Sequence, residues 1–160
     1  IENLPLYREV DGGLMVHGCP PDSPTAYLNH MSSLEIIAAF ESNDFKIAFS
    51  GHTHRLMLMS YDGKDLRFHP LHQNTIALKP GYRHIVNVGA VGQPRDNDPR
   101  AKYVIWDNDR NTLEIRRVSY DMDKTATLIM ERGFLRKDAD RLFAGCSVRL
   151  GVALSLGKAI

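Results

Sequence analysis

A chain of 160 residues, 43% of them hydrophobic, has the size and apolar content to bury one sizeable core. Its formal charge of +1 leaves no basic footprint for a nucleic-acid polymer, and no apolar run approaches the ~20 residues a membrane helix needs. Cys19 and Cys146 are few and far apart, and with no charged-then-apolar leader they read as reduced thiols of a cytoplasmic protein.

In chain order, residues 6–10 and 13–17 read as a β-hairpin around the Asp11-Gly12 turn signal. Its second strand ends in His17-Gly18. Pro20-Pro21-Asp22-Ser23-Pro24 is a rigid loop leading to residues 25–31. Ser32-Ser33-Leu34-Glu35 matches a capping box and opens a helix to about Glu41, with Ile36, Ile37 and Phe40 inward. Asn43-Asp44 ends it. Residues 46–50 form a buried strand that stops at Gly51. Residues 56–61 and 66–71 flank Asp62-Gly63 as a second hairpin. Strands are predicted at 85–88 and 101–107, and residues 107–111 turn into a strand over 112–119. Asp121 caps a helix over 122–132 that Gly133 closes, and 137–144 is a short helix. Residues 147–160 read as a final strand or a frayed end.

The chemistry concentrates in His52-Thr53-His54. Side chains alternate along extended backbone, so both imidazoles would project to one side and serve neighbouring metal ions. Gly51 would admit the sharp turn beside them. A histidine pair two apart arises easily by chance among seven histidines. Two further segments add weight: the strand ending in His17-Gly18, and Ile85-Val86-Asn87-Val88-Gly89-Ala90-Val91-Gly92-Gln93-Pro94-Arg95-Asp96. In this order the three closely resemble the C-terminal half of calcineurin-like metallophosphoesterases, in the small bacterial phosphodiesterase branch. The resemblance covers residues 13–134, with residues 135–160 as C-terminal helices and tail.

The resemblance implies an α/β fold, part of a four-layer α/β/β/α sandwich whose N-terminal half is not in this chain. It implies hydrolysis of phosphomonoesters or phosphodiesters by a hydroxide bridging two divalent ions, whether Mn, Fe, Zn or Mg. His17 and His52 would bind one ion and His54 the other. No other catalytic residue is expected in this half, so the isolated chain is expected to be inactive. A binuclear centre would need ligands from the absent half or another copy of the chain. Arg95 and Gln93 are candidate contacts to substrate phosphate, on a small molecule or nucleotide; the competing reading pairs Arg95 with Asp96 or Asp98. Asn87 is expected to brace the glycine loop, where Val88 and Ala90 replace the usual proline and serine. Cys19 is expected to be a buried thiol, Arg55 a weak phosphate candidate, and His30, His69, His72 and His84 bystanders. A non-catalytic scaffold with the same fold is the alternative. A half sandwich is also expected to expose an apolar sheet face.

Overall fold

The computed structural model describes residues 4–143. Strand β1 (Tyr7–Val10) and strand β2 (Gly13–Val16) form the predicted hairpin. Its turn residues have positive φ, 52° at Asp11 and 81° at Gly12, as a tight primed turn requires. Helix α1 (Ser33–Glu41) starts at Ser32, whose hydroxyl accepts from the Glu35 N–H while the Glu35 carboxylate accepts from the Ser32 N–H. Ile36, Ala39 and Phe40 are its buried residues. Strands β3 (Ile47–Ser50), β4 (Leu56–Tyr61), β5 (Leu66–His69), β6 (Thr75–Ala77) and β7 (Arg83–Val88) follow, then β8 (Ala101–Asp107) and β9 (Thr112–Val118). Helix α2 (Met122–Glu131), capped by Asp121, and α3 (Arg136–Asp140) end the regular structure before a 3-10 turn at Arg141–Phe143.

Six strands build one sheet in the order β1-β2-β3-β7-β4-β5, and β6-β9-β8 build a smaller one. Within the larger sheet β2, β3 and β7 run parallel, with antiparallel strands on either side. Central parallel strands are covered on both faces, so they carry unbroken apolar runs. All four residues of β3 are buried. One face packs Leu14, Ala48, Met59 and Ile85 under Ile36 and Phe40 of α1. The other packs Ile47, Phe49, Leu58 and Val86 against Leu113, Val104 and Trp106 of the smaller sheet. Helix, sheet and sheet stack in succession, an α/β architecture.

Several expectations change. Strand β6 has no counterpart in the sequence reading; the helix expected over 137–144 is α3 at Arg136–Asp140 continued by the 3-10 turn Arg141–Phe143, residue 144 lying outside the described residues. Both faces of the larger sheet's central strands are packed. Exposed apolar side chains lie on β1 (Tyr7 and Val10), on the smaller sheet at Tyr103, Ile105 and Val118, and on α2 and the turn after it at Leu128, Met130, Phe134 and Leu135, among other positions. Cys146 and residues 147–160 lie outside the described residues. Among the described residues no helix is long and apolar enough to cross a membrane.

Candidate metal centre

The three parallel strands end side by side, with Met15 opposite Phe49 and Ser50 opposite Asn87. His17, Gly51 and Gly89 therefore leave the sheet at one edge, the edge where open α/β sheets present ligands. The Gly51 N–H donates to the His17 carbonyl at 2.9 Å, joining the first two exits. Asn87, fully buried, joins the second to the third. Its amide nitrogen donates to the Gly51 carbonyl, and its amide oxygen accepts from the Gly89 N–H at 3.2 Å. Asn87 is thus a brace, as expected.

The double histidine is built differently from the extended geometry predicted. His52 and His54 have φ of 58° and 59°, in the left-handed region that residues with a Cβ seldom occupy. Gly51 does not share that conformation, so the turn places its strain on the histidines themselves. The Thr53 N–H closes a tight turn on the Gly51 carbonyl at 2.6 Å, and the buried Thr53 hydroxyl accepts from the Arg55 N–H at 3.1 Å. Strain of this kind persists only where surrounding contacts hold it, and it concentrates at functional sites.

His52 Nδ1 lies 3.1 Å from His17 Nε2. Two nitrogens each ~2.0–2.1 Å from a shared ion would stand ~2.8–3.4 Å apart at octahedral or tetrahedral angles, so this pair fits one metal. His54 Nδ1 donates to the Gln93 carbonyl at 2.8 Å, which leaves the Nε2 lone pair for a ligand. The Arg95 N–H donates back to the His54 carbonyl at 2.9 Å. The glycine loop is thereby fastened to the second histidine. The Arg95 side chain meets neither aspartate; its guanidinium donates to Gln93 Oε1 at 3.2 Å, while Asp96 pairs with Lys102 and Asp98 with Arg100. Among the described residues no cluster of three or more His, Cys, Asp and Glu could hold a metal ion by itself.

Cys19 is buried in the core, where desolvation pushes its thiol up to about 11. Such a thiol packs and does not ligate. Arg55 is exposed. Against Met15, Val16, Phe49 and Trp106, a groove of about 710 Å³ opens beside His17 and Gly51.

No family model matches the chain. Over 99 residues, 62% of its length, it is 35% identical to an uncharacterized protein of Methanocaldococcus jannaschii, of which the match spans 39%. It superposes on the crystal structure of a metallophosphoesterase from Sphaerobacter thermophilus with a TM-score of 0.78 and 32% identity, covering 90% of this chain and 59% of that one. This chain has a metallophosphoesterase fold. A hypothetical protein of Pyrococcus horikoshii shares the fold at a TM-score of 0.63 and 15% identity, over 90% of this chain and 52% of that one. The chain thus spans less than two thirds of the length of these relatives.

Two parts of this candidate site escaped the sequence reading. Lys102, 2% exposed, lies under the glycine loop and reaches Asp96 at 2.8 Å. Tyr27 packs against His52, its ring tilted by 45° with centroids 4.0 Å apart. The only advance signal for Tyr27 is its three-residue spacing from His30 across the 3-10 turn Leu28–His30, where such positions eclipse.

Gly18 gives the loop after His17 its shape. A Cβ there would lie 2.6 Å from the Ser23 carbonyl oxygen and 2.8 Å from that of Ala26, both backbone atoms that cannot swing aside. The Gly18 and Cys19 N–H groups both donate to Ser23, at 3.0 and 3.1 Å. Gly18→Ala is therefore expected to lose about 2 kcal/mol in urea unfolding. At Gly51 an added Cβ would meet only ordinary contacts beyond 3.6 Å, so Gly51→Ala should be near neutral. Equal losses for the two variants would contradict this account.

Proposed function

We propose that this chain supplies the histidine side of a two-metal phosphoesterase centre, in a protein that hydrolyses phosphomonoesters or phosphodiesters. The observation that carries the reading is the 3.1 Å approach of His52 Nδ1 to His17 Nε2 at the ends of adjacent parallel strands. His17 and His52 would hold one divalent ion, and His54 would offer Nε2 to the other. Bound there, the ions supply the positive charge that acidifies a water and neutralises phosphoryl oxygens.

The chain's own groups do the rest. The Gln93 carbonyl fixes the His54 tautomer and ring plane. Arg95, exposed and steadied by Gln93 Oε1, presents a guanidinium fork whose geometry matches two phosphate oxygens. The substrate is a phosphorylated small molecule or a nucleotide. The remaining ligands come from the part of the relatives' length that this chain does not span, or from a second copy. Manganese, iron, zinc and magnesium all suit a mixed imidazole and carboxylate site.

The test is hydrolysis of an aryl phosphate by the whole protein with added manganese or zinc. Removing a metal ligand costs at least as much as removing its hydrogen-bonded support, so His54→Ala is expected to lower the rate by about tenfold or more. Full activity in that variant would refute the assignment. Hydrolysis absent from the wild type would instead favour a scaffold.

A further inference from the structure

His52 and His54 are oriented by different means. His54 is anchored by its hydrogen bond to the Gln93 carbonyl. Among the described residues His52 has no carbonyl or carboxylate in that role: Nδ1 faces His17, and Nε2 is buried without a hydrogen-bond partner there. Metal-binding imidazoles almost always have such an anchor on the second nitrogen. A histidine in a strained left-handed turn, lacking one, needs another restraint on its ring.

Tyr27 supplies it. Its ring packs against the His52 ring at 4.0 Å and 45°, and His30 stacks on Tyr27 at 5.2 Å and 24°. Beyond His52 the His17 ring follows edge-on at 4.9 Å and 65°. Four rings form a continuous column, His30–Tyr27–His52–His17. Its base is fixed, because Leu28, between Tyr27 and His30, is 1% exposed in the core beneath α1.

We propose that Tyr27 is a positioning residue for His52, its ring holding the imidazole so that Nδ1 faces His17 Nε2 and both nitrogens can meet one ion. The proposal rests on the two-metal reading above. The ring does this by packing, so the hydroxyl is dispensable and phenylalanine should serve as well. Truncation to alanine removes the contact and lets the imidazole turn about its Cβ–Cγ bond, carrying Nδ1 away from His17.

Two measurements on the whole protein, at the full length of its relatives, decide it: zinc affinity by competition with a chromophoric chelator, and NMR of the His52 ring nitrogens in the metal-free state. Tyr27→Ala is expected to weaken zinc binding about 10–100-fold, and Tyr27→Phe to stay within about threefold of wild type. In the metal-free spectra wild type and Tyr27→Phe should show one defined His52 ring, and Tyr27→Ala an averaged one. Unchanged affinity in Tyr27→Ala, or an equal loss in Tyr27→Phe, would overturn the proposal. If the wild type binds no zinc, the two-metal reading fails and the metal-free spectra still decide the role of Tyr27. A ring equally defined in all three proteins would then reject it.

Discussion

Lys102→Met is expected to destabilise the fold by about 3–5 kcal/mol, the usual consequence of leaving one member of a buried ion pair without its partner. The lysine side chain is 2% exposed and the Asp96 side chain 15%. Its ammonium group lies 2.8 Å from Asp96 and donates to the carbonyls of Asp98 and Arg100, so its donors are spent within the loop. The other Asp96 oxygen accepts from the Leu56 N–H at 3.0 Å, which ties the same carboxylate to the strand that follows His54. Methionine keeps the volume and removes the charge, so Asp96 would be left buried and uncompensated. Lys102→Met combined with Asp96→Asn should recover part of the loss, because the stranded charge is gone. Urea unfolding of the three variants measures this. A single-variant loss below about 1 kcal/mol would show that the pair is effectively solvated.

The same variant should reach the candidate site. The Lys102 N–H donates to the Ala90 carbonyl at 2.9 Å, and Gly89, at a φ of 79°, sits so close that a Cβ would lie 3.1 Å from that of Lys102. The loop carrying Gln93 and Arg95 rests on this lysine. Its amides are expected to exchange hydrogen faster in Lys102→Met, whereas those of β3 should not change.

What the sequence revealed, and what it hid, divides by range of interaction. The Asp11-Gly12 turn, the Ser32/Glu35 capping box and the Asp121 cap are settled within four residues, and all three form as read. The all-buried β3 and the exits at His17, Gly51 and Gly89 were legible because apolar runs ending in glycine mark strand ends. The pairing of His17 with His52 joins positions 35 apart, and it was readable only through resemblance to a family. Alternation of side chains misplaced the reason for the His52–His54 pairing, since extended backbone was assumed where two left-handed residues stand. The reading that competed with phosphate contact paired Arg95 with its nearest aspartates, yet those carboxylates are taken by Lys102 and Arg100. Charge partners within a loop are chosen by how the loop folds, and spacing alone does not carry that.

His84 is expected to make stability fall steeply between pH 6.5 and pH 4. It sits in the middle of the larger sheet, 2% exposed, with Nδ1 2.7 Å from the Ser60 hydroxyl, which in turn lies 2.8 Å from His69 Nε2. Burial depresses its pKa from 6.5 to about 4; the Lys79 backbone carbonyl pulls upward, and the charges of His69 and Lys46 push further down. The unfolded chain therefore binds a proton in this window that the folded chain refuses. The stability contribution is complete above pH 6.5 and is lost as pH falls through 4, about 3 kcal/mol in all. His69, shifted downward by partial burial, adds a smaller loss over the same range. Asp98 acts in a separate window. Hydrogen bonding from the Arg100 guanidinium holds its carboxyl down to about 2, so its contribution is whole above pH 3.8 and is lost as pH falls from there through 2. Urea unfolding at intervals from pH 7.5 to 2 separates the two. His84→Asn should flatten the slope between 6.5 and 4 whatever it does to absolute stability, and leave the drop below 4 in place. A slope unaffected by that substitution would mean that the buried ring takes up its proton without leaving the folded state, against the burial from which the shift is argued.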